Sequence, residues 1–260
     1  MRVAIVQTKP VFGDVAANLR AAAELIESAP ADLYVLPELC TTGYNFADAA
    51  EVNSLAETAT GATFNRMADV AKRKSCYVVY GFAEKAESLY NSAALVGPAG
   101  LVGVYRKVHL FDREQLFFKP GDLGFPVYDL PFGRVGLMIC FDWIYPEAAR
   151  TLALKGAQLI AHPSNLVLPY CPDAMITRCL ENRVFAATAD RIGREDRGGH
   201  DLRFIGTSEI VTPCGEVLGR LGTDEAGIFV SGVDLREADD KRVNKHNDLL
   251  VQRQPRQYTL

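Results

Sequence analysis

The 260-residue chain holds 48% hydrophobic and 23% charged residues, the balance of a globular protein with enough apolar surface to build its own core. Its 28 Lys and Arg against 32 Asp and Glu leave a net charge of −4 with no basic stretch, which disfavours nucleic acid and anionic membrane as partners. No apolar run nears the roughly 20 residues of a membrane span. The run "VAIV" after Arg2 is too short for a secretory leader, whose core takes about 7–15 residues, and a cytoplasmic location is expected.

In chain order, "VAIV" (3–6) reads as a strand, and 15–28 puts Val15, Leu19, Ala22 and Ile26 on one helical face. "LYVLP" (33–37) is a strand. The segment 63–74 repeats the helical period through Phe64, Met67 and Val70. Strands follow at 76–82, 92–96 and 101–108, with "GPAG" as a turn. "RVGLMIC" (134–140) is a strand and 146–155 a helix opened by Pro146. The pattern predicts a strand at 157–163 and a helix at 173–187 along Ile176, Leu180, Val184 and Ala187. "FIGTSEIVTPCGEVLGRL" and "GIFVSGVDL" close the chain as antiparallel strands, turning at Pro213–Gly215. Early βαβ spacing followed by hairpins indicates an α/β protein with mixed sheets under helices. No linker or repeat interrupts residues 1–260, so one domain is expected, with 245–260 as a C-terminal arm.

Six cysteines (Cys40, Cys76, Cys140, Cys171, Cys179 and Cys214) form no C-x-x-C pair, and the four histidines show no metal-site spacing. Three reactive groups stand where strands end: Glu38 after "LYVLP", Lys107 in "VYRKVHLF" and Cys140 after "GLMI". Ligands of open α/β sheets bind outside the carboxyl ends of strands, so these groups can converge. Alone, each has an ordinary reading: a solvated carboxylate, a surface lysine, a packed thiol. The short step from strand to helix at Cys140 resembles an elbow that exposes a nucleophile.

Together the segments "LPELCTTGY", "YRKVHLF" and "GLMICFDWIYPEAAR" resemble the glutamate–lysine–cysteine triad of the nitrilase superfamily, the carbon–nitrogen hydrolases. "FFKPGD" (117–122), "ALKGAQLIAHPSN" (153–165) and "LENRVF" (180–185) extend the resemblance from residue 3 to about 235. It implies a four-layer α-β-β-α sandwich, a homodimer or higher homo-oligomer, and no cofactor or metal. It also implies catalytic roles for Glu38, Lys107 and Cys140, with Glu114 as a second carboxylate orienting substrate or lysine.

The chemistry is coherent. A free thiol is only a few per cent ionised near neutral pH, so Glu38 would take its proton and return it to the departing amine. Cys140 would hold a thioester. Lys107 would stay protonated between carboxylates, lower the thiol's pKa, and with the Phe141 N–H stabilise the oxyanion. Asp142 reads as a hydrogen-bonding support of the elbow and Cys40 as packing.

Substrate-binding candidates are Tyr44, Phe141, Trp143 and Asn165, with Tyr170 beside them; Trp143 reads equally as a core anchor. A lining without arginine favours a small uncharged reacting group. Nitrilases in the narrow sense follow the nucleophile with Trp-Glu, whereas "CFD" stands here. That favours a small amide substrate, with nitriles or N-carbamoyl amines and amino acids as alternatives. A cysteine–histidine hydrolase using His109 or His162, an acyltransferase and a non-catalytic scaffold relative are the rival readings.

Overall fold

The computed structural model describes residues 1–258. The first half of the chain builds β1 (Arg2–Gln7), α1 (Val15–Ser28), β2 (Leu33–Val35), α2 (Ala49–Leu55), α3 (Ala62–Lys74), β3 (Tyr77–Lys85), β4 (Leu89–Gly97), β5 (Gly100–Arg106) and the short α4 (Glu114–Phe117). The second half adds β6 (Val127–Leu130), β7 (Gly133–Leu137), α5 (Pro146–Leu154), β8 (Leu159–Pro163), α6 (Cys171–Asn182) and β9 (Phe185–Ala189). It closes with β10 (Ile192–Arg197), β11 (His200–Ile205), β12 (Glu209–Val211), β13 (Val217–Arg220) and β14 (Gly227–Gly232).

Two six-stranded sheets result, ordered β14-β1-β2-β3-β4-β5 and β13-β12-β9-β8-β7-β6. In each, three neighbouring strands run parallel and the outer ones antiparallel. The strand period of two explains the layering. On β1 and β2, Val3, Ile5, Leu33 and Val35 enter the core shared with the second sheet, while Ala4, Val6 and Tyr34, with Leu36 just past β2, enter the core under α1 and α3. The shared core continues through Val135, Leu137, Leu159 and Phe185 to Leu152 of α5 and Met175 of α6. The architecture is a four-layer α-β-β-α sandwich. Local chemistry fixes the helices: the Asp14 carboxylate accepts the Ala17 N–H at 3.1 Å to open α1, and Lys72, Arg73 and Lys74 complement the dipole at the end of α3.

Several boundaries differ from the sequence reading. The helix expected to run to 187 stops at Asn182, because Arg183 turns left-handed (φ 50°) and 185–189 become the buried strand β9. The strand expected over 134–140 ends at Leu137, and Cys140 opens a 3-10 turn, Cys140–Ile144. The expected strand across 204–211 is broken between Ile205 and Glu209, its first part pairing in a β10–β11 hairpin. The expected hairpin at Pro213–Gly215 forms between β12 and β13, whereas β14 crosses to pair with β1. Within the proposed arm, 245–258 are mostly exposed and 259–260 lie outside the described residues.

Candidate active site

Glu38 sits three residues beyond β2, in a segment gripped by β3. The Gly81 N–H donates to Pro37 O at 3.0 Å, and the Cys40 N–H to Gly81 O at 3.1 Å. Only a glycine allows this approach, since a Cβ at 81 would lie 2.4 Å from Glu38 Cα. Lys107 directly follows β5, held by its N–H to Asn91 O at 2.8 Å. Both side chains are fully buried, and Lys107 Nζ donates to Glu38 Oε1 and Glu114 Oε1, each at 2.7 Å. An ammonium has three N–H donors, so one remains after these two bonds.

Around this ion triad, Asn91 Nδ2 donates to Glu38 Oε1 at 2.6 Å and the Tyr44 hydroxyl to Glu114 Oε1 at 2.6 Å. Glu38 Oε2 is buried without a hydrogen-bond partner among the described residues. Three buried charges are costly to desolvate and weak as a source of stability, which makes the cluster a functional-site candidate. Burial pushes Lys107 down, but Glu114 and Glu38 more than reverse this and hold it above its ordinary value. Burial raises Glu114 to about 7 against the lowering pull of Lys107, with Glu38 adding to the rise.

Cys140 is buried with a left-handed backbone (φ 41°), the strain expected where a thiol is turned out at the start of a helical turn. Its support is Asp142, whose Oδ2 accepts the Ile139 N–H at 2.9 Å and the Tyr105 hydroxyl at 2.6 Å, and whose Oδ1 accepts the His109 N–H at 3.1 Å. The Phe141 N–H donates to no acceptor among the described residues. One short segment links the thiol to the carboxylate: Ser164 O accepts the Glu38 N–H at 3.4 Å, and Asn165 O accepts the Cys140 Sγ–H at 3.8 Å. Lys107 lowers the thiol's pKa, as expected, but it is outweighed. Burial raises the thiol well above its ordinary value, Glu38 pushes the same way, and Lys107 only opposes them. The resting group is therefore a thiol.

Cys140 opens into a cleft of about 250 Å³ lined by Phe111, Phe141, Trp143, Asn165 and the 166–168 segment. Trp143 lines this cleft and also belongs to the core. Both polar atoms of the Asn165 side chain are buried and without a partner among the described residues. Tyr44 lies in an adjoining cavity of about 410 Å³ with Glu114, and Phe111 lines both spaces. Arg113 lines that second cavity, an arginine the sequence reading did not place near the site. Tyr170 is exposed and stands outside both linings.

Neither histidine faces the thiol. His109 Nδ1 is 2.8 Å from Asp142 Oδ1, and His162 Nε2 is 2.9 Å from Cys140 O. Burial lowers His162 to about 4, so it is neutral near pH 7, with Nε2–H donating to that carbonyl. Asn91 was missed in the sequence because it sits mid-strand, 53 residues from the carboxylate it holds.

Known proteins resemble the chain throughout. The sequence model of the carbon-nitrogen hydrolase family matches residues 2–242. A protein named nitrilase from Pyrococcus abyssi is 50% identical over 99% of both chains. The omega-amidase of Homo sapiens is 35% identical over 80% of this chain and 78% of its own. Among solved structures, a nitrilase-superfamily amidase from Nesterenkonia AN1 superposes with a TM-score of 0.79 at 26% identity, covering 94% of each chain. A further structure of that amidase carries acrylamide joined by Michael addition at its active site cysteine.

Proposed function

We propose, from the premise that this chain belongs to the carbon–nitrogen hydrolase family, that it cleaves the carbon–nitrogen bond of a small amide through a thioester on Cys140 and releases ammonia. The observation that carries the reading is the buried Glu38–Lys107–Glu114 triad, joined to Cys140 through the 164–165 segment.

In the first half-reaction Cys140 Sγ attacks the amide carbon while its proton passes to Glu38, whose Oε2 has no other partner among the described residues. Lys107 uses its third N–H, with the Phe141 N–H, to hold the oxyanion. Collapse breaks the C–N bond as Glu38 returns the proton to the leaving nitrogen. Water then attacks the thioester, Glu38 accepting its proton and passing it to the thiolate as the acid departs. Glu114 stays out of the proton path; held by the Tyr44 hydroxyl, it gives Lys107 a second carboxylate partner beside Glu38.

The nitrile reading keeps weight because the relative at 50% identity is named nitrilase; a nitrile would meet the same thiol and give a thioimidate that hydrolyses to the same thioester. The proposal includes a cytoplasmic protein of one domain that forms at least a dimer. Exposed Ile144, Leu154, Leu168, Tyr170 and Leu180, on or beside α5 and α6, support self-association.

Ammonia release from a panel of small amides, ureido acids and aliphatic nitriles, with Cys140→Ala as control, tests the reading. Release from amides that the substitution abolishes is expected. Release from nitriles alone would replace the amide assignment, and release that survives in Cys140→Ala would remove the thiol from the reaction.

A further inference from the structure

A second buried ion pair stands away from the thiol, at the root of the β10–β11 hairpin. Arg191 and Glu195 are both almost fully buried and hydrogen-bond each other through Arg191 Nη1 and Glu195 Oε1. Such a pair is expensive to desolvate and weak as a source of stability, so what it holds is informative. Glu195 Oε2 accepts the backbone N–H groups of Tyr44 at 3.1 Å and Asn45 at 2.7 Å. The Asn45 amide in turn donates to Glu195 O, Arg197 O and His200 O at 2.8–3.2 Å, clamping the same loop to the hairpin backbone.

The pair also fixes the Tyr44 ring. The Arg191 guanidinium lies 4.0 Å from the Phe204 ring centroid, and Phe204 meets Tyr44 edge to face at 5.9 Å. Tyr44 is thus held at its N–H by Glu195 and at its ring by Phe204, leaving its hydroxyl against Glu114 Oε1, the oxygen that also receives Lys107. Gly43 makes the approach feasible, since it has φ +83° and a Cβ there would lie 2.9 Å from Glu195 Oε1.

We propose that Arg191 and Glu195 are positioning residues that set the Tyr44 hydroxyl against Glu114 and so fix Glu114 as the partner of Lys107. The inference rests on the site reading above but adds a remote control over it. The groups facing Glu114 are Lys107, Glu38, Tyr44 and Cys140, with Asp112, Arg113 and His200 lining the same cavity. Burial raises Glu114 to about 7 even with the Tyr44 hydrogen bond lowering it; losing that bond moves Glu114 further up and leaves more of it neutral at pH 7.5. A neutral Glu114 no longer opposes ionisation of Cys140, so thiolate becomes easier to form even though Lys107 loses a fixed partner.

The test is peptide-resolved alkylation of the full chain by iodoacetamide at pH 7.5, comparing wild type, Glu195→Gln, Tyr44→Phe and the double variant. Both single variants are expected to alkylate Cys140 about threefold to tenfold faster, equivalent to a thiol shift of about half to one pKa unit. The double variant is expected to match Tyr44→Phe alone, because the two residues act along one path. Cys40, Cys171 and Cys179 are fully buried and report any general loosening; their labelling is expected to stay unchanged. Unchanged Cys140 labelling in either single variant, additive effects in the double, or parallel acceleration at the three buried cysteines would each overturn the proposal. Labelling needs no turnover, so failure to find a hydrolysed substrate would count against the proposed function while leaving this result decisive.

Discussion

At the scale of single residues, the site depends on charges that are buried but not cancelled. Lys107 makes two ionic hydrogen bonds and keeps a third donor, while Glu38 binds two donors on one oxygen and none on the other. Lys107→Met keeps the length and removes the charge. It is expected to lower kcat for amide hydrolysis by about 10²–10³, the usual loss for one oxyanion donor. It also leaves Glu38 and Glu114 without their cation, a change that typically costs about 3–5 kcal/mol and is measurable as a lower urea midpoint. A destabilised variant with unchanged kcat would confine Lys107 to a structural role. Glu38, Lys107 and Cys140 were legible because each stands near a strand end and because their three segments together resemble the nitrilase-superfamily triad. Asn91 and Glu195 were not, because they act on partners 53 and 151 positions away and carry no local pattern.

At the scale of elements, position comes from how strands grip loops. β3 holds the Glu38 segment through Gly81, whose missing side chain lets two backbones touch. Gly81→Ala forces that contact open, and overpacking of this kind costs about 1–3 kcal/mol. Loss of ammonia release beyond the fraction unfolded is expected, because the shift falls on Glu38 itself; activity proportional to folded protein would separate the grip from the chemistry. The boundaries misread in sequence share one cause. Val184 and Ala187 continue the helical phase of α6 although they lie beyond it, and only the left-handed turn at Arg183 separates helix from strand. Periodicity cannot register a turn made by a non-glycine residue. The β10–β11 hairpin was missed for a related reason: "REDRGGHDLR" is charged on both strands and shows no alternation of apolar and polar residues.

Across the whole molecule, the inner faces of both sheets and the helices α5 and α6 share one core, and Cys140 and Trp143 belong to it. Layer order follows from β1 and β2, whose alternate residues serve two cores, a pattern visible in the sequence as uninterrupted apolar runs. Which sheet each late strand joins was not visible, since β14 leaves its neighbour in sequence to pair with β1. A shared core makes the proposed single domain a cooperative unit. The chain has one tryptophan, Trp143, at the cleft, so its fluorescence follows the site while far-UV circular dichroism follows the whole. Coincident urea transitions by the two probes are expected. An earlier fluorescence transition would show the cleft opening as a separate unit.

The most direct measurement of the central claim is the mass of the Cys140 peptide after acid quench of the protein turning over a small amide. An increment equal to the substrate's acyl group, found on that peptide and absent from the Cys140→Ala protein, is expected. Steady ammonia release with no acyl group on Cys140 at any quench time, or with the acyl group on another residue, would contradict the thioester mechanism.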